Sequence, residues 1–179
     1  LRQAEEAFKQ VEALEQYHGP LNLARVYFTE GRIDEAAEAL QRAAKYTDPP
    51  APPWTLAWPS GKGNQQQGRL DEAEQNFRKV LEEKTPEMIK RKFDFSLDYE
   101  VRNQLGLVLF DLARQRRSES ERIERESLLR DAVKQFEATL KTDSENIAAH
   151  YNLHLLYADL GDEEKAAEHL RLHGRYKAD

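Results

Sequence analysis

The sequence predicts an all-α fold, an array of antiparallel helical hairpins, and three observations predict it. The first is self-similarity at a fixed spacing. "GRIDEAAEAL" from Gly31, "GRLDEAEQNF" from Gly68 and "GDEEKAAEHL" from Gly161 each carry a glycine, an acidic cluster and then an alanine. A large apolar residue follows four positions on, giving the pairs Ala36 and Leu40, Ala73 and Phe77, and Ala166 and Leu170. Ala4 with Phe8 and Ala132 with Phe136 keep the spacing without the glycine. The second observation lies upstream. Leu23, Ala24 and Tyr27, then Leu105, Gly106 and Leu109, then Leu153, His154 and Tyr157 fall at i, i+1 and i+4. Such positions form one stripe of a helix, and a small residue in it admits a neighbouring backbone. The third is composition: 39% hydrophobic and 34% charged residues suit thin, repeated packing better than one thick core.

Each unit therefore reads as helix, glycine turn, helix. The glycine ends the first helix where a left-handed residue is needed. The acidic residues sit favourably at the positive N-terminal end of the second. As a set these motifs resemble the tetratricopeptide repeat family, whose 34-residue hairpin carries L-G-x2-Y, then A-x3-F, then Pro. The resemblance covers nearly the whole chain. It implies a right-handed superhelical α-solenoid, with first helices lining a concave side and second helices the convex side.

Taken in order, residues 1–17 read as the second helix of a preceding repeat, which implies a larger parent protein with a repeat before Leu1. Residues 18–53 are the first full hairpin, ending in "DPPAPP", expected to be a stiff, extended connector. Residues 54–86 are a distorted repeat. In "PWTLAWPSGKGNQQQG", Pro59 removes a backbone bond and Gly61 and Gly63 weaken the helix, so a kinked or shortened helix is expected. Residues 87–98 are an insertion: "TPEMIKRK" reads as a short helix with Thr85 as cap and Pro86 at its first position. Phe93 and Phe95 are expected to tuck against the stack. In the hairpin of residues 99–146, "RQRRSESERIERESLLR" replaces the glycine turn. Lengthening both helices by about two turns would carry a charged tip about 10 Å outward, with Ser118 and Glu121 as a capping box. Residues 147–179 form the last hairpin, and its polar "HLRLHGRYKAD" suits the end of a stack.

The resemblance also implies where a ligand would lie. Carried residue by residue, the exposed stripe of first helices reads Leu21, Asn22, Arg25, Phe28 and Thr29 in the first unit and Trp58, Lys62, Gln65 and Gln66 in the second. The third gives Asn103, Gln104, Leu107, Phe110 and Asp111, and the fourth Tyr151, Asn152, Leu155 and Asp159. Asn and Gln side chains can bond a peptide main chain as donor and acceptor, and aromatics supply apolar anchors. A non-catalytic scaffold that binds a peptide or partner helix is the function implied. A structural spacer or self-assembly module is the alternative, and an enzyme with a pocket near Trp58 and Lys62 a weaker one. Some family members clamp a C-terminal carboxylate, but Leu21 and Thr55 occupy places where such clamps want charge, so that specificity is not implied. Whether Trp54 and Trp58 fill a joint or anchor a ligand is open.

Other classes fit poorly. A net charge of −6 argues against general nucleic-acid binding. No run of 18 apolar residues is present to span a membrane. With no cysteine the chain has no disulfide, thiolate metal site or haem attachment. "GKGNQQQG" has neither phosphate-loop nor dinucleotide spacing, so no cofactor is expected. His150 with His154 and His169 with His173 have metal-ligand spacing, but they fall on helix-packing positions, so no metal is expected. No catalytic motif is visible. Stretches such as "PPAPPWT" and "FDFSLDYEVRNQLG" resemble repeat regions attached to bacterial multihaem cytochrome-type proteins outside the cytoplasm.

Overall fold

The glycine turns set the architecture. In the computed structural model, which describes residues 1–177, Gly31, Gly68 and Gly161 all take positive φ, at 74°, 73° and 79°. Each closes its helix with the same pair of bonds. The amide after the glycine donates five residues back, Arg32 to Tyr27, Arg69 to Asn64 and Asp162 to Tyr157, at 2.8 to 2.9 Å. The glycine's own amide reaches the carbonyl three residues back at 3.1 Å. This is the Schellman arrangement, which satisfies the last carbonyls of a helix. A turn of three residues then forces the next helix to return antiparallel. Ten α-helices and no strand form among the described residues, in two compact units running from Leu1 to Val80 and from Leu81 onward.

The first unit holds α1 (Arg2–Glu12), α2 (His18–Thr29), α3 (Ile33–Ala43), α4 (Pro53–Gln66) and most of α5 (Leu70–Glu82). Its core joins Leu21, Leu23, Ala24 and Tyr27 of α2 to Ala36, Ala39, Leu40 and Ala43 of α3, with Phe8 and Tyr17 packed alongside. Arg32 fastens α1 to the first turn. Its guanidinium bonds Glu5 at 3.1 Å, Glu30 at 2.8 Å and Glu35, and lies 4.2 Å from the centre of the Tyr27 ring.

Two expectations for residues 48–66 are corrected. "DPPAPP" is extended only in part: Thr47 and Pro50 pair across a tight turn whose Asp48–Pro49 peptide is cis, and Pro52 keeps the extended conformation before the helix. The following helix is not shortened either, since α4 runs 14 residues without a break past Pro59. The glycines explain this, because each is a seat for a ring rather than a weakness. A Cβ at Gly61 would stand 2.6 Å from the ring of Phe77, and one at Gly63 would stand 3.0 Å from that of Phe28. Close packing on both sides outweighs the single bond lost at Pro59 and the poor helix propensity of glycine.

The second unit begins with α6 (Pro86–Arg91), where the Thr85 hydroxyl accepts from the Met88 amide at 3.2 Å and Pro86 opens the helix. Phe95 is half-buried, but Phe93 is 44% exposed rather than tucked away. Instead, Arg102 holds this segment by donating to the Ser96 carbonyl at 2.7 Å and to Gln135 at 3.0 Å. Then come α7 (Tyr99–Gln115), α8 (Arg122–Thr142), α9 (Ile147–Asp159) and α10 (Glu163–Tyr176). Asp98 caps α7 by accepting from the amides of Glu100 and Val101, both at 3.0 Å. At the tip of the third hairpin the Glu121 carboxylate accepts from the Ser118 amide at 3.0 Å, completing the capping box. The helices flanking it have 17 and 21 residues, against 13 and 14 in the last hairpin.

Gly106 and Phe136 repeat the device of Gly61 and Phe77: a Cβ at Gly106 would meet the Phe136 ring at 2.6 Å. Leu40, Phe77 and Phe136 are all buried, whereas Leu170 is 47% exposed on α10, which packs on α9. Ala178 and Asp179, the end of the polar C-terminal stretch, lie outside the described residues.

Candidate functional site

The predicted binding residues fall on α2 and α4 in the first unit and on α7 and α9 in the second. Within each unit these first helices touch. In the first unit, Asn22 is half-buried. Its amide donates to the His18 carbonyl at 2.9 Å and accepts from Arg25 at 3.1 Å, which leaves the Arg25 guanidinium at the surface. Phe28 is half-buried against the core and against Gly63. Trp58 and Trp54 are half-buried, and the Trp58 ring tilts against Phe77 with centroids 5.5 Å apart. The Lys62 ammonium stands 6.0 Å from the centre of the Trp58 ring, at the edge of cation–π range. Gln65 is half-buried and Gln66 exposed.

In the second unit, Gln104 is half-buried and Tyr151 is 45% exposed, its ring 5.2 Å from that of His173. Asn103 is engaged within the fold. Its Oδ1 accepts from Thr139 at 2.9 Å and its Nδ2 donates to Asn146 at 3.2 Å, so one amide joins α7 to α8 and to the cap of α9. Leu21, Phe110 and Asn152 depart from the expected stripe. Leu21 is 5% exposed in the core, Phe110 is 2% exposed, and Asn152, at 9%, donates to the Ala148 carbonyl at 2.8 Å. First helices pack on their own partner and on the next first helix, so their buried stripe is wider than a single hairpin requires.

The histidines serve the last hairpin. His150 Nε2 lies 3.1 Å from the Ser144 carbonyl, which only accepts, so Nε2 carries the proton and Nδ1 accepts from His169 Nδ1 at 2.9 Å. His154 donates to the Ala166 carbonyl at 3.0 Å, and His173 to that of Ile147 at 3.2 Å. Among the described residues no group of three or more ligating side chains converges. Burial first, and then repulsion from His150 whenever that ring also takes a proton, pulls the His169 ring below its ordinary value of 6.5, against the opposing pull of Glu168 and Glu137.

The folded unit thus favours neutral His169, while the unfolded chain takes up the proton near pH 6.5. Its stabilising contribution is full above that value and is lost as pH falls from there through the lower value of the folded state. Urea midpoints of the second unit are expected to drop on acidification, and His169→Phe should flatten the drop. An equal slope in the variant would place the acid sensitivity elsewhere.

A cavity of about 300 Å³ opens in the first unit between α3, α4 and α5. Leu40, Gln41, Ser60 and Asn64 line it, and Trp58 and Lys62 do not. Among the described residues no helix is long and apolar enough to cross a membrane.

Known proteins share this architecture. The chain resembles MamA at 15% identity over 96% of its own length and 85% of that chain, with a TM-score of 0.73. A second structure, of MamA from AMB-1, gives 20% identity, 98% and 88% coverage and a TM-score of 0.72. TTC0263, a thermophilic TPR protein in Thermus thermophilus, gives 19% identity, 90% and 74% coverage and a TM-score of 0.61. At these identities the likeness is one of fold. No curated protein matches the sequence. The family profile described as tetratricopeptide repeat matches residues 1–52 and 125–177, more than half of the chain. With the repeated glycine turns and the glycine-to-phenylalanine seats, that match decides the matter: the chain belongs to the tetratricopeptide repeat family.

Proposed function

We propose that the chain is a non-catalytic scaffold whose first helices hold a peptide or a partner's helix. The observation that supports this reading is the pairing of first helices inside each unit, α2 beside α4 and α7 beside α9. It sets polar and aromatic side chains of successive repeats next to one another. Arg25, Lys62 and Gln65 share α2 and α4 with the half-buried rings of Phe28 and Trp58 in the first unit, and Gln104 and Tyr151 lie on α7 and α9 in the second. Amides and cations at the rim of aromatic anchors match what recognition of a peptide main chain requires. The partner on this reading is protein rather than nucleic acid, since the chain carries a net charge of −6.

The test is selection of peptides from a displayed library on the whole chain, followed by fluorescence anisotropy with two variants. Arg25→Glu alters the first unit and Tyr151→Ala the second. Both residues are exposed, so both variants keep the fold. Loss of about tenfold in affinity in one of them is expected, the size of one good interfacial contact. Selected peptides that bind the doubly substituted chain as tightly as the parent would overturn the reading. Failure to select any peptide would favour a spacer.

A further inference from the structure

Four of the chain's five histidines lie in the last hairpin, and every one of them ties α9 to α10. His150 of α9 meets His169 of α10, His154 reaches the Ala166 carbonyl, and His173 reaches back to that of Ile147. The apolar contribution to this contact is thin. Of the 14 residues of α10 only Ala166 is buried, and Leu170 is 47% exposed, whereas α8 buries six. Neither α7 nor α8 carries a histidine, and those two helices lock through Phe136 against Gly106 and through Thr139 with Asn103.

The contact between His150 and His169 differs from the other two. An imidazole donates to a carbonyl whether it is neutral or charged, so His154 and His173 keep their bonds on protonation. The pair instead has room for one proton at its junction. His150 Nε2–H is committed to the Ser144 carbonyl, so the 2.9 Å bond needs His150 Nδ1 bare. His169 can take a first extra proton at Nε2 and still donate from Nδ1. A second can enter only at His150 Nδ1, where it sets the N–H groups of two cations face to face. His150 is 3% exposed, with the Tyr176 ring 5.5 Å away, so solvent screens that repulsion weakly. Around the pair, Glu168 of α10 and Glu137 of α8 favour charge on His169, and Lys165 of α10 opposes it. Glu137 is already engaged by the Tyr157 hydroxyl at 2.6 Å, and the Tyr157 ring stacks on His169 at 5.6 Å. His154, one turn along α9 from His150, adds a further positive charge when it is protonated. Among the described residues no carboxylate bonds a nitrogen of the pair.

We propose that the last hairpin is a pH-sensitive latch: a second proton on the pair of His150 and His169 releases α10 from α9 while α7 and α8 stay packed. Once released, both rings take up protons in the ordinary histidine range near 6.5. The closed pair holds at least one proton fewer, so opening grows as pH falls below that range, by at least about tenfold per pH unit. Departure of α10 also takes His173 away from the Tyr151 ring, 5.2 Å from it, and so alters the exposed face of α9.

The experiment is hydrogen–deuterium exchange of the whole chain, read by mass spectrometry in steps from about pH 7.5 to about pH 5 and corrected for the intrinsic pH dependence of exchange. Opening of α10 is expected to rise at least about tenfold per pH unit below 6.5, with α7 and α8 protected throughout. His150→Asn with His169→Asn keeps an amide donor and acceptor near the two Nδ1 positions and removes the titration. Its slope should be flat even where its helices are less protected overall. His154→Asn with His173→Asn removes two histidines from the same contact but spares the junction, and should keep the parent's slope. An unchanged slope in the first variant, a flat slope in the second, equal loss of protection in α7 and α8, or a flat slope in the parent would each overturn the inference.

Discussion

Phe136→Ala is expected to destabilise the second unit by about 3–5 kcal/mol, the range for emptying a fully buried aromatic site. The ring has no exposed surface and lies directly against Gly106 of α7. That contact makes the prediction more specific than a core deletion. At an open helical position Gly→Ala gains about 1 kcal/mol. At Gly106 the new Cβ would stand 2.6 Å from the ring, so Gly106→Ala alone should instead lose about 1–3 kcal/mol through overpacking. With Phe136 already removed, the same alanine should become neutral or favourable. Urea unfolding of the four proteins, followed by helical circular dichroism, supplies the cycle. Additive effects would mean that the two residues do not share one space.

Asn103→Ala is the second large effect, and it bears on how the binding test is designed. The Thr139 hydroxyl is fully buried and donates to the Asn103 Oδ1 at 2.9 Å, with the Tyr99 carbonyl as a remote alternative at 3.5 Å. The Asn146 Oδ1, which caps α9 through the Ala149 amide at 2.9 Å, also accepts from Asn103. Removing this amide leaves a buried hydroxyl with a poor partner and loosens a helix cap, a loss of about 1–3 kcal/mol. Asn103→Asp keeps the acceptor for Thr139 and should lose less than Asn103→Ala. A melting temperature unchanged in Asn103→Ala would show the network to be dispensable. Any loss of ligand in that variant has to be read against its stability, which is why Arg25 and Tyr151 are the better probes.

Local chemistry made most of the helices legible in the sequence. Glycine at 31, 68 and 161 has few alternatives to a left-handed turn, and Thr85, Ser118 and Glu121 announce helix starts through side chains that reach their own backbone. That Gly106 is a small position admitting a close neighbour was visible; that the rings of Phe77 and Phe136 fill the seats at Gly61 and Gly106 was not. Nor was the continuity of α4, because it depends on the rings of Phe28 and Phe77, one lying well before Gly63 in the chain and the other well after Gly61. The candidate site was legible only in outline. Spacing places Phe110, Leu21 and Asn152 on first helices, but the side they turn depends on neighbours that no single hairpin encodes.

The overhang of the third hairpin has a consequence for modularity. At 1.5 Å per residue, four more residues in α7 than in α9, and seven more in α8 than in α10, amount to about 6 and 10 Å of extra helix. That projection is a matter of length, not of the interlocking surface around Phe136. Excising whole turns from both helices would remove the projection and leave the seats intact. Splicing the same turns into another hairpin of this kind would carry the charged tip along as an exchangeable part.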